Sequence, residues 1–260
     1  MLKGVCMSQQ SHLAILLAAS ALAGCASTQA EGRLGKADVL ARTQIVRADT
    51  LSQMSFWAKQ TDQYPDDPVA ATEFVNALRR GRQPERAVEA GAQALQRLPQ
   101  ARELRRAYAH ALLALGRGAE SVLLLSQLVQ EDAQDWRARD ALGVALDQAG
   151  RPVQARAAYQ EALKLMPDQV GVMTNLGVSY LLTGDAAKAE EVLRRAVELP
   201  GASAETRQNL ALAIGLQGRF SEAEDIQSVD LAPEQVASNV SFLRKLLSDG
   251  RRWEDLTKAQ

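Results

Sequence analysis

The chain has 260 residues, of which 47% are hydrophobic and 23% charged, with a formal net charge of −1. That mix is ordinary for a folded helical protein and excludes a chain too polar to bury a core. Balanced charge also excludes the basic footprint of a nucleic-acid binder.

Residues 1–12 carry one lysine, Lys3, and no acid, and Leu13 to Leu22 form a short apolar run. About ten apolar residues are too few to cross a bilayer as a helix, which needs about 20. They suit the core of a cleaved secretory signal, predicted here as residues 1–24 with translation starting at Met1 or Met7. The run ends in Leu22-Ala23-Gly24-Cys25, which resembles the lipobox of bacterial lipoproteins. That resemblance implies acylation of Cys25, cleavage before it, and, with Ala26 rather than Asp next, transfer to the periplasmic face of the outer membrane. Two or three acyl chains anchor firmly where one binds marginally. Residues 25–36 then read as the acylated cysteine and a polar tether. Residues 37–67 hold Val39, Leu40, Ile45, Val46, Leu51, Met54 and Trp57 in loosely helical spacing and read as N-terminal capping helices, cut by Tyr64-Pro65.

From 68 to 233 the sequence repeats. Gly116, Gly150, Gly184 and Gly218 stand 34 residues apart, each between two helix-like stretches, as left-handed residues that end one helix do. Eight positions before the last three stand Leu142, Leu176 and Leu210, each followed by Gly143, Gly177 or Ala211; five positions after come Ala155, Ala189 and Ala223. Such small residues let two helices approach closely. Five units follow, at 68–101, 102–135, 136–169, 170–203 and 204–233. Val236, Val240, Leu243 and Leu247 recur at helical spacing after Pro233, so 234–260 reads as a C-terminal capping helix and tail. The basic cluster Arg97, Arg102, Arg105 and Arg106 and the acidic pair Glu190-Glu191 read as solvated helix surfaces.

This pattern resembles the tetratricopeptide repeat, best in Asn175, Leu176, Gly177, Tyr180, Gly184, Ala189 and Ala196. The first two units depart from it, with Phe74-Val75 and Tyr108-Ala109 at the Leu-Gly positions. The resemblance implies an all-α fold: a right-handed superhelical solenoid of tetratricopeptide helix pairs with capping helices. It further implies that first helices line a concave partner-binding groove. Carried over, the groove positions are Asn76, Arg79, Arg80, His110, Val144, Asp147, Val178, Leu181, Leu182, Leu212 and Leu216. The last five of these would form an apolar strip able to hold an amphipathic partner helix. The family's clamp for a free carboxylate, paired Lys/Arg and Asn, is not reproduced.

Chemistry is sparse. His12 and His110 are the two histidines, His12 falls in the signal, and no phosphate loop or metal-ligand spacing occurs. The expectation is a protein that is not an enzyme and takes no cofactor or metal. The segment Asp230 to Asn239 with Phe242-Leu243-Arg244, after a lipobox and five repeats, resembles the TadD family of Flp (tight-adherence) pilus assembly lipoproteins. That likeness implies help in localising or oligomerising the outer-membrane secretin, with a secretin or another assembly component as partner. A general cell-envelope scaffold for peptidoglycan enzymes or outer-membrane assembly factors is the alternative.

Overall fold

A computed structural model describes residues 35–248, and among these it contains thirteen helices and no strand. Cys25, the signal segment, most of the tether and the tail beyond residue 248 lie outside the described residues. Two helices come first, α1 (Lys36–Ile45) and α2 (Thr50–Gln63). Five antiparallel pairs follow: α3 (Pro68–Arg80) with α4 (Pro84–Arg97), α5 (Arg102–Ala114) with α6 (Gly118–Glu131), and α7 (Trp136–Gln148) with α8 (Pro152–Leu165). Then come α9 (Val170–Leu182) with α10 (Ala186–Glu198), α11 (Ala204–Gly215) with the shorter α12 (Phe220–Gln227), and a closing helix α13 (Pro233–Ser248). No described helix is long and apolar enough to cross a membrane.

Local chemistry sets the helix ends. Proline opens α3, α4, α8 and α13, where its missing N–H would have had no partner. The Asp49, Asp67, Asp135, Asp185 and Ser203 side chains accept from backbone N–H groups in the first turns of α2, α3, α7, α10 and α11. The first helix of each pair ends on one repeated device. In α7 the Arg151 N–H reaches back to the Leu146 carbonyl at 2.8 Å and Gly150 to Asp147 at 3.0 Å; the matching bonds close α3, α5, α9 and α11. This is the Schellman arrangement, which needs a left-handed residue. Gly116, Gly150, Gly184 and Gly218 supply it at φ of 71°, 70°, 79° and 81°. In the first pair Arg82 takes that place at φ 57°, so the register holds although its glycine is missing.

Packing follows from the small residues. Ala87, Ala155, Ala162, Ala189, Ala196 and Ala223 are fully or almost fully buried. A Cβ on Gly177 would lie 2.5 Å from Leu193 Cγ, and one on Gly143 would enter the Tyr159 ring. Axes this close leave no room for any side chain on those faces. Leucines such as Leu104, Leu112, Leu125 and Leu128 fill the spaces between pairs, each contributing about 1.5–3 kcal/mol of burial. At the carboxyl end Leu243 of α13 covers Gly215. The buried side of α13 is Val236, Val240, Leu243 and Leu246, and Leu247 is partly exposed, which corrects the spacing expected for this helix. A helical turn of 3.6 residues allows either i+10 or i+11, and the direction of approach of α12 selects the former.

Candidate protein-interaction surface

First helices of neighbouring repeats touch one another in succession, α3 to α5, α5 to α7, α7 to α9 and α9 to α11, whereas second helices make no comparable contact with one another. On a curved stack, inner elements crowd and outer ones splay. The first helices therefore line the concave side, which puts their free positions on one continuous face.

At the amino end of that face a cavity of about 450 Å³ opens between α3 and α5. Asn76 and His110 both line it, with Thr72, Arg106 and Ala107 between them. Burial, and then the charges of Arg79 and Arg106, depress the His110 pKa to about 4, so the ring is neutral at pH 7. Arg79 is exposed beside it. Arg80 is held aside, bonded to Gln53 at 3.0 Å and 3.7 Å from Glu73.

Farther along, the face is knitted by hydrogen bonds between repeats. Asp147 accepts from Tyr159 Oη at 3.0 Å and Ser179 Oγ at 2.9 Å. Burial raises its pKa more than these bonds and the Arg156 charge lower it. Asn175 donates to Asp140 at 2.9 Å, and the Thr174 and Thr206 hydroxyls bond each other at 2.9 Å. Asp147 is thus bound up in joining α7, α8 and α9. Val144 is partly buried between two core clusters.

The apolar strip is narrower than expected. Leu182 is 42% exposed and Val178 half-buried, while Leu212 and Leu216 pack partly against the core. Leu181 is a correction: it is 3% exposed and belongs to the core with Leu193, Leu210 and Ile214. It lies one residue, about 100° of helix, from Leu182, and α11 covers that side. The structure therefore unites Asn76 and His110 in one cavity, and leaves Val178, Leu182, Leu212 and Leu216 apart from it, two to four repeats away.

Two charged clusters read as solvated from the sequence are structural. Arg102 and Arg106 both bond the Asp135 carboxylate, at 2.7 and 2.5 Å, and Arg105 pairs with Glu131 at 2.5 Å. Glu190 accepts from Arg194, Gln217 and Arg219, joining α10 to the turn between α11 and α12; burial would raise its pKa, but these donors bring it to about 2. The partners are 26 to 33 residues apart for the first cluster, about one repeat length, and that coincidence is the one signal the sequence offered. Among the described residues no three His, Cys, Asp or Glu side chains are placed to hold a metal.

A family model for the tetratricopeptide repeat matches residues 72–135 and 141–206, half of the chain. The chain is a tetratricopeptide-repeat protein. A search of curated proteins found no significant match. Among solved structures, a thermophilic tetratricopeptide protein of Thermus thermophilus aligns at 21% identity and TM-score 0.58, over 69% of this chain and all of that one. MamA, residue 41 to the end, from Desulfovibrio magneticus RS-1 aligns at 21% identity and TM-score 0.54, over 62% of this chain and 90% of that one. YrrB, described as having an unusual peptide-binding site, aligns at 16% identity and TM-score 0.50, over 71% and 97%. At such identities the likeness is one of fold, and the tetratricopeptide solenoid expected from the sequence is the fold observed.

Proposed function

We propose that this tetratricopeptide protein is a non-catalytic scaffold that holds a segment of a protein partner on its concave face, tethered to the outer membrane through acylated Cys25. The observation that carries the binding reading is the unbroken inner face of first helices, with the Asn76–His110 cavity at one end and exposed Leu182 beside Val178 toward the other. Neutral His110 and the Asn76 amide offer hydrogen bonds without adding charge, which suits a polar peptide group more than a free carboxylate. That YrrB carries a peptide-binding site supports a peptide occupant. The anchor rests on the Leu-Ala-Gly-Cys tetrad at the end of its apolar run.

The partner we favour is a secretin or a neighbouring component of Flp pilus assembly, on the strength of the Asp230 to Arg244 resemblance together with the lipobox. The test is affinity capture from detergent-solubilised envelopes, with wild type beside a His110→Ala/Leu182→Asp variant. Wild type should retain a secretin subunit, and the variant should lose at least tenfold, or about 1.4 kcal/mol. Retention of a peptidoglycan enzyme or outer-membrane assembly factor instead would point to the general envelope scaffold. Equal retention by both proteins would remove the concave face as the binding surface.

A further inference from the structure

Helix α1 is turned inside out. A surface helix ordinarily buries its apolar stripe and shows its charges to water. In α1 the residues that meet the body are Asp38, Arg42 and Ile45. Asp38 accepts from Tyr64 Oη at 2.9 Å, Arg42 pairs with Asp67 at 2.6 Å and donates to Gln60 at 2.8 Å, and Ile45 packs near Trp57. Away from these contacts stand Val39 and Leu40, 49% and 58% exposed, followed by the capping residue Val46 at 71% and, in α2, Leu51 at 70%. Four of the twelve large apolar side chains exposed on the described protein thus fall within thirteen consecutive residues. Elsewhere such residues are spread more thinly, which needs no explanation; four so close together do.

The chain indicates what lies against that side. Only about ten residues separate Cys25 from α1, a reach of about 35 Å at full stretch. α1 itself is about 15 Å long. An acylated Cys25 therefore keeps this helix within about 35 Å of the lipid headgroups, nearer along the chain than any other described element. Exposed Arg47 and exposed Asp49 both border the apolar residues, so their charges offset.

We infer that the outward face of α1 and the start of α2, Val39, Leu40, Val46 and Leu51, is a lipid-contacting surface that lies in the headgroup region and orients the repeat stack on the membrane. This rests on the reading of Cys25 as the acylated residue, and adds to it that the tether is not a free leash. Binding by one short helix is weak alone, but the anchor holds it at high local concentration.

The test uses full-length protein, processed in the cell and purified from envelopes, with Leu40→Cys. Cys6 leaves with the signal and the Cys25 thiol is consumed by acylation, so the introduced thiol takes a polarity-sensitive dye selectively. The protein is placed in phosphatidylethanolamine–phosphatidylglycerol vesicles containing a headgroup-level spin-labelled quencher. The expected result is a blue shift and strong loss of emission, absent for a Ser238→Cys control in α13 and abolished when Val39, Val46 and Leu51 are changed to Ser. Acylated, vesicle-bound protein whose dye is quenched no more than the control overturns the lipid-contact inference while leaving the anchor standing. A blue shift that follows protein concentration instead of lipid overturns it in favour of a second copy of the chain. Mature protein found by mass to lack acyl groups removes the anchor, and the inference with it.

Discussion

Two glycines of α9 should respond to alanine with opposite signs. Gly177 faces α10, where a Cβ would stand 2.5 Å from Leu193 Cγ and 2.8 and 2.9 Å from its methyl carbons. Ordinary contact between carbons is about 3.5–4.0 Å, so a fully buried leucine must retreat by about 1 Å in a core with no slack. Overpacking of this kind costs about 1–3 kcal/mol, against a helix-propensity gain of up to about 1 kcal/mol. Gly177→Ala should therefore destabilise by about 1 kcal/mol. Gly171, in the same helix, has no atom within 4 Å of where its Cβ would stand. Gly171→Ala should stabilise by up to about 1 kcal/mol. Leu193→Ala alone should cost about 2–5 kcal/mol, but in its presence Gly177→Ala should turn favourable, a coupling of about 1–3 kcal/mol. Urea titrations followed by far-ultraviolet circular dichroism give all four values, provided the slopes agree. Equal effects of the two alanines, or simple additivity with Leu193→Ala, would refute the close-packing argument.

Other outcomes are equally direct. Arg82→Gly, which relieves a left-handed arginine, should raise stability by about 0.5–1 kcal/mol in the same titration. The His110 pKa is about 4 when folded and ordinarily 6.5, so the unfolded chain binds the proton first. Stability should be whole above about pH 6.5 and fall by about 2–3 kcal/mol as pH drops toward 4, a slope that His110→Gln should flatten. Asp135→Ala removes a helix cap and two guanidinium partners and should cost about 1–3 kcal/mol. Burial raises the Asp135 pKa, but the Ala138 N–H and the two arginines hold it below its usual value. Its contribution should be whole above about pH 4, fall as the pH drops toward the lowered folded-state value, and be gone below it. Cys25→Ser should abolish acylation, read by mass, and leave an uncleaved or mislocalised form.

What could be read in the sequence was what is decided locally. A left-handed helix end demands glycine whatever lies around it, so Gly116, Gly150, Gly184 and Gly218 declared the repeat, and the alanines that follow marked the close faces. Arg82 hid the same turn in the first unit, because strain at one residue leaves no trace in composition. The choice of Leu246 over Leu247, and of Leu182 over Leu181 as the exposed leucine, depends on where a third helix arrives. Periodicity along one helix cannot supply that direction. The Arg102–Asp135–Arg106 and Glu190–Arg219 links were hidden for a related reason, since their members sit in different repeats and each alone looks like an ordinary surface charge. Of the groove positions, Asn76 and His110 share one cavity, whereas Asp147 is committed to Tyr159 and Ser179.

Among the described residues, contact in this stack passes mainly between neighbouring helices and between successive first helices. Pulled lengthwise, such an array behaves as springs in series: every junction bears the full load, and the softest yields first. The thinnest junctions are at the two ends, α1 against α2 and the eight-residue α12 against α13, so strain would open the terminal helices and leave the four longer pairs wound.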